Sequence, residues 1–195
     1  MGRNWTIFLK KLYVSIFSVT ILFCSSIKNI RVTQTDKNFF KIPVKVSRVY
    51  IIEKNPPKNS SEEIRRIIDE LVNSTIKKDI SILPSFVYKE KGIYLDLKGL
   101  WTYDELVKEV EREDSYFSIF FFDTEKLKKH KKSDEVQTVR DLLLISKGLE
   151  LDLFFESSNS CEVKVRFSSP NKLERELNNP YFIFENGKWY VFRLF

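Results

Sequence analysis

The chain has 195 residues, of which 43% are hydrophobic and 14% aromatic, enough for one well-buried domain and too few for two. Its formal charge of +6 suggests nucleic acid until it is located: Arg3, Lys10 and Lys11 precede the first acid, Asp36, and without residues 1–23 the balance is 30 basic to 27 acidic residues, a net of +3. No basic strip is interleaved with aromatics, so nucleic acid is excluded as the expected partner.

Residues 1–26, MGRNWTIFLKKLYVSIFSVTILFCSS, read as an export signal. A basic segment ends at Lys10-Lys11, an apolar run spans Leu12 to Phe23, and small polar residues follow; the run is shorter than the roughly 20 residues a spanning helix needs. Cys24 follows Ile21-Leu22-Phe23 and precedes Ser25-Ser26, which resembles a bacterial lipoprotein box. Phe23 departs from it, because that box takes Gly, Ala or Ser there. Spirochaetal lipoproteins are looser at this position, and the composition here is similar to theirs. Cys24 is the lipidation candidate; cleavage near Ser26 and an uncleaved signal anchor are the alternatives. The expected location is extracytoplasmic, secreted or held at a membrane through the N-terminus. Residues 27–40 read as a tether, and residues 41–195 as a single domain.

Lys41 to Glu53 alternates as a strand. Asn55 to Asn59 ends it, and Ser60 with Glu63 has the spacing of a capping box. Ile64, Ile67, Ile68, Leu71, Val72 and Ile76 then recur at helical spacing. Ile80 to Leu83 reads as a further helical turn before Pro84. Phe86–Tyr88 and Ile93–Leu97 flank Lys89-Glu90-Lys91-Gly92 like a hairpin. Thr102 and Glu105 open a helix with Tyr103, Leu106, Val107 and Val110 inward. Tyr116–Phe122, YFSIFFF, is continuously apolar, and its length and aromatic content predict a strand. Lys126–Lys132, KLKKHKK, reads as a solvated loop, and Ser133–Ser146 as a helix with Val136, Val139, Leu142 and Leu143 inward.

Leu149, Leu151, Leu153 and Phe155 define a strand, Ser157–Ser160 a turn, and Cys161–Phe167 a strand with Cys161, Val163, Val165 and Phe167 on its apolar face. With Cys24 lipidated or removed, Cys161 has no disulfide partner, and a buried structural thiol is expected. The chain ends PYFIFENGKWYVFRLF. Asn186-Gly187 supplies the two positive-φ residues of a type I′ turn, pairing Glu185 with Lys188, Phe184 with Trp189, Ile183 with Tyr190 and Phe182 with Val191. Both faces of this hairpin are apolar, which predicts a central position covered on both sides.

These elements predict an α+β fold, an antiparallel curved sheet packed by about three helices. The order of helix, short helix, hairpin, helix and then antiparallel strands over residues 60–195 is similar to that of NTF2-like (cystatin-superfamily cone) domains. That resemblance implies a sheet wrapped around its helices, a pocket between them and a face that dimerises. The first strand and residues 114–147 depart from it.

Chemistry is sparse. The one histidine, His130, lies among five lysines, which leaves a His-based triad and a His/Cys metal site without ligands. No glycine-rich phosphate loop exists among five glycines. Asp96, Asp104, Asp123 and Glu156 lie near element ends, where caps account for them as well as acid/base work does. No cofactor is expected. Two site types remain: pocket aromatics, Trp101, Tyr103, Tyr116, Trp189 and Tyr190; and an anion patch, Lys126, Lys128, Lys129, Lys131 and Lys132. The expected function is a non-catalytic exported domain acting by protein or surface interaction, with a homodimer among its forms. The alternative is a small-molecule binding module with an NTF2-like pocket.

Overall fold

The computed structural model describes residues 41–96 and 99–195, with the side chain of Asp96 outside the description. Cys24, the export signal and the tether lie outside the described residues.

Among the described residues, seven strands form one curled, open sheet in the order β1-β4-β5-β6-β7-β2-β3. They are β1 (Val44–Ile51), β2 (Ile93–Asp96), β3 (Gly99–Trp101), β4 (Leu149–Ser157), β5 (Ser160–Phe167), β6 (Tyr181–Glu185) and β7 (Lys188–Arg193). The expectation of an antiparallel sheet holds for β4 to β7 and for β2 with β3. It fails at two seams, since β1 joins β4 and β2 joins β7 in parallel. Alternation alone cannot show this, because parallel and antiparallel strands share one side-chain period. In β1 that alternation is itself broken by a register shift between Val46 and Arg48.

The terminal hairpin has the expected register at all four pairs, and Asn186 and Gly187 have φ of 49° and 81°. It lies in the middle of the sheet. Its inner face is closed: Phe182, Trp189 and Val191 are buried. The outer face corrects the expectation of cover on both sides. Tyr181, Tyr190 and Phe192 are only half-buried, and a register shift next to Phe182 turns Arg193 outward to join them.

Four α-helices occur among the described residues, where about three were expected: α1 (Ser60–Ile76), α2 (Tyr103–Glu111), α3 (Thr124–Lys131) and α4 (Val139–Ser146). All six expected apolar positions of α1 are buried. Its first turn is a correction, because Ser60 and Glu63 do not cap it. Asn59, at φ 65°, is the N-cap, and no side chain caps the helix. The Ser60 hydroxyl instead donates to the Pro57 carbonyl at 2.6 Å and accepts from Trp189 Nε1 at 2.9 Å. Glu63 accepts from the Trp189 backbone N–H at 3.2 Å. The pair that looks like a local cap is a long-range clamp between α1 and the hairpin.

Thr102 and Glu105 do form a capping box, at the start of α2. That helix is shallower than expected: Leu106 is buried, Tyr103, Val107 and Val110 only half so, and Glu109 is buried as well. Arg112, at 2.8 Å, and the Tyr116 N–H satisfy the Glu109 carboxylate. The hairpin placed at residues 86–97 is instead β2–β3, preceded by a 3-10 turn over Leu83–Phe86, slightly later than the turn expected at Ile80–Leu83.

Residues 116–122 are helical rather than a strand, with a π-turn at Ser118–Phe122 closed by the Asp123 N–H on the Ser118 carbonyl. Its aromatics obey helical spacing. Phe117 and Phe121 enter the core, while Tyr116 and Phe120 stack at 4.6 Å. Residues 126–132, expected as a loop, lie in α3 and its C-cap, because Asp123 caps the helix and Leu127 anchors it. The helix expected from Ser133 begins only at Val139, behind a Thr138–Asp141 capping box.

The buried apolar side chains of α1, α4, the π-turn and the inner sheet face form one core among the described residues, and residues 41–195 lie within one compact unit. Cys161 is fully buried in it and free, as expected, and burial pushes its thiol up to about 12. An unfolded chain ionises this thiol near 9, so its contribution to stability is complete below about pH 9 and is lost as pH rises towards 12. Cys161 is therefore expected to resist iodoacetamide at pH 8 and to react once denaturant unfolds the chain. Native labelling at the unfolded rate would contradict its burial.

Candidate functional site

The five expected pocket aromatics do not meet. Trp189 is a core residue, clamped by α1 and packed at 5.3 Å on Phe184 and 5.7 Å on Phe155. Tyr190, next in sequence, points to the opposite face of the sheet and packs on Tyr88 at 5.2 Å. Tyr103 lies under Lys89, 5.7 Å from its ammonium. Only Trp101 and Tyr116 approach each other, at 6.1 Å.

The five lysines are likewise not one patch. Lys126 bonds Asp114 at 2.7 Å and the Ser118 hydroxyl at 2.9 Å; its hydrogen bond with Asp114 raises the ammonium and lowers the carboxyl relative to their ordinary values. Lys128 pairs with Glu125 at 3.0 Å. Lys131 extends over the Phe120 ring at 5.4 Å, beside His130, whose ring meets the same phenyl edge-on at 5.1 Å. In sequence His130 lies among lysines, and the π-turn brings it an aromatic neighbour in Phe120. Lys129 and Lys132 engage no partner among the described residues. A helix whose last turn is basic also favours its own dipole, which is reason enough for several of these lysines.

Of the four carboxylates, Asp123 and Glu156 have structural partners. Asp123 accepts from the Glu125 and Lys126 N–H groups as the cap of α3. Asp104 lies in the first turn of α2. Glu156 accepts from the Tyr181 hydroxyl at 2.6 Å; burial first, and this bond second, push that phenol above its ordinary value. Asp96 belongs to β2. Among the described residues, no group of three or more His, Cys, Asp or Glu is arranged to hold a metal ion. No helix among them is long and apolar enough to cross a membrane.

Two surfaces are built from what remains. The first is the outer face of the central strands. Tyr94 and Phe192 meet edge-on at 5.4 Å, Tyr190 and Tyr88 continue the strip, and Arg193 lies 5.6 Å from the Tyr181 ring centre. A shallow groove of about 400 Å³ runs between Tyr94, Tyr181, Phe192 and Arg193. Ion pairs border the strip: Arg193 with Glu162 at 2.9 Å, Lys91 with Glu185, and Arg166 with the buried Asp152 at 3.0 Å. The second surface is a deeper cleft of about 590 Å³ between the π-turn, α3, α4 and the 3-10 turn at Lys172–Glu176. No single motif announces it, because its walls come from four segments. Comparison with protein-family models, curated proteins and solved structures finds no match.

Proposed function

We propose that this chain is an exported, non-catalytic domain, held at a membrane through Cys24 or secreted, that acts by protein interaction through the outer face of its sheet. The observation that carries this reading is the half-buried aromatic strip, Tyr88, Tyr94, Tyr181, Tyr190 and Phe192 with Arg193, laid across the centre of the sheet. Tyr, Phe and Arg are enriched at interfaces, and Tyr and Arg are among the side chains that carry most of the binding energy there.

The occupant is a second copy of the chain. Residues 41–195 hold 27 basic and 26 acidic residues, so the domain has no excess charge that would select an oppositely charged partner. The strip is bordered by both signs, Arg193, Arg166 and Lys188 against Glu150, Glu156 and Glu162, and a face bearing both signs can meet its own two-fold image without like-charge conflict. An NTF2-like architecture for residues 60–195 belongs to this proposal. The curled sheet, the helices that precede its long strands and the central terminal hairpin support it; the parallel β1 and β2 depart from it.

Sedimentation of residues 41–195 is expected to show a reversible dimer, and Tyr190→Ser with Phe192→Ser should shift it to monomer while leaving the melting temperature within a few degrees. A wild-type monomer throughout, or a dimer indifferent to both changes, would refute the surface. Mass spectrometry of the mature N-terminus checks the export half, where lipidated Cys24 or a new terminus near Ser26 is expected and an intact Met1 in the cytoplasm is not.

A further inference from the structure

The cleft beside the π-turn divides into a floor and a rim. Phe121, Leu142, Leu127 and Phe195 are almost fully buried beneath it, and the stacked rings of Tyr116 and Phe120 make one wall. The wall stands on the π-turn at Ser118–Phe122, and such turns are frequent at functional sites. The volume is in the range of small-ligand sites.

The rim carries one cation, two carboxylates and two side-chain amides: Lys131, Glu135, Glu176, Gln137 and Asn178. Lys129 and Lys132 are equally without a partner among the described residues, but of the lysines in this segment it is Lys131 that lines the cleft. Lys126 and Lys128, one turn away, are neutralised by Asp114 and Glu125. The rim groups have no hydrogen bond or ion pair from their side chains among the described residues, and Lys131 touches only the Phe120 ring. An aromatic floor beneath an open ammonium, open carboxylates and open amides offers a partner for each group of one ligand class.

We infer that this cleft binds a short zwitterionic peptide with apolar side chains. Its side chains occupy the floor, its carboxylate meets Lys131, its ammonium meets Glu135 or Glu176, and Gln137 and Asn178 serve the peptide bond. A fatty acid would leave both carboxylates facing apolar chain, and an alkylammonium would leave Lys131 without use. The site is separate from the outer face of the sheet and is built from residues 116–178, with Phe195 in its floor, so it stands or falls independently of dimerisation.

The test is titration calorimetry of residues 41–195 with the dipeptide Leu-Phe, its N-acetyl form and its C-terminal amide. Saturable binding of Leu-Phe is expected, weakened about tenfold by either cap, since each removes one charge-assisted contact. Lys131→Gln should weaken Leu-Phe about tenfold and leave the amide unchanged. Glu135→Gln with Glu176→Gln should do the same for the free amine and leave the N-acetyl form unchanged. Val136→Trp, at a half-exposed lining position outside the core, should block all three peptides without altering the melting temperature. The inference is overturned if Leu-Phe gives no saturable heat, if Val136→Trp leaves binding intact, or if laurate or dodecylammonium binds more tightly than Leu-Phe in a Val136-dependent way.

Discussion

Trp189→Ala is expected to lower stability by about 3–5 kcal/mol in denaturant melts of residues 41–195, the cost of truncating a large buried aromatic. The indole is 2% exposed and touches Phe155 and Phe184, so little of the resulting cavity can be filled by water or by collapse. Its loss also removes one of the two ties between α1 and the hairpin, the Nε1 donor to the Ser60 hydroxyl at 2.9 Å, while the backbone N–H of residue 189 keeps its bond to Glu63. Trp189→Phe separates the two contributions by keeping most of the packing and removing the hydrogen bond, and should cost about 1–3 kcal/mol. A loss below about 1 kcal/mol for the alanine variant would show that the hairpin is peripheral to the fold.

Gly92→Ala comes next in size. Gly92 has φ +66°, where an L side chain costs about 1–2 kcal/mol, and a Cβ there would lie 2.1 Å from the Trp101 carbonyl oxygen. That oxygen belongs to the backbone of β3, opposite Ile93, so relief requires the β2–β3 hairpin to shift as a whole. About 3 kcal/mol or more is expected, in the range reserved for backbone strain and overpacking. Gly187 is the control: its φ is +81°, but nothing lies within 4 Å of the added Cβ. Gly187→Asn should cost less than about 1 kcal/mol, since Asn tolerates the left-handed region, and Gly187→Val clearly more. Equal losses for Gly92→Ala and Gly187→Ala would remove the clash from the account.

Where local rules control the chain, its sequence is legible. The Asn186-Gly187 turn specifies its own register, the α1 stripe and the β4 and β5 alternations specify their buried faces, and Thr102 with Glu105 caps the helix that begins at Tyr103. The misreadings fall where a long-range partner decides. Ser60 and Glu63 match a capping box in spacing, yet Trp189, more than 120 positions later, takes both side chains. Residues 116–122 are too continuously apolar for their period to decide, and their aromatic content points to a strand; the Glu109 carboxylate on the Tyr116 N–H and the Ser115 hydroxyl on the Ser118 N–H favour the helix. The parallel placement of β1 and β2 leaves no trace in a period of two. The cleft was invisible for the same reason, since Tyr116 and Lys131 were both legible as candidates, but their meeting depends on a π-turn and a helix that read as strand and loop.

The most direct test of the interaction surface is hydroxyl-radical footprinting of residues 41–195 at concentrations below and above the expected dimerisation. Tyr94, Tyr181, Tyr190 and Phe192 should become protected as concentration rises, while the exposed Leu100 and the edge residues Val49, Ile51 and Ile52 label equally throughout. Unchanged labelling of the four aromatics, or protection confined to the β1 edge, would contradict the claim that this protein works through the outer face of its sheet.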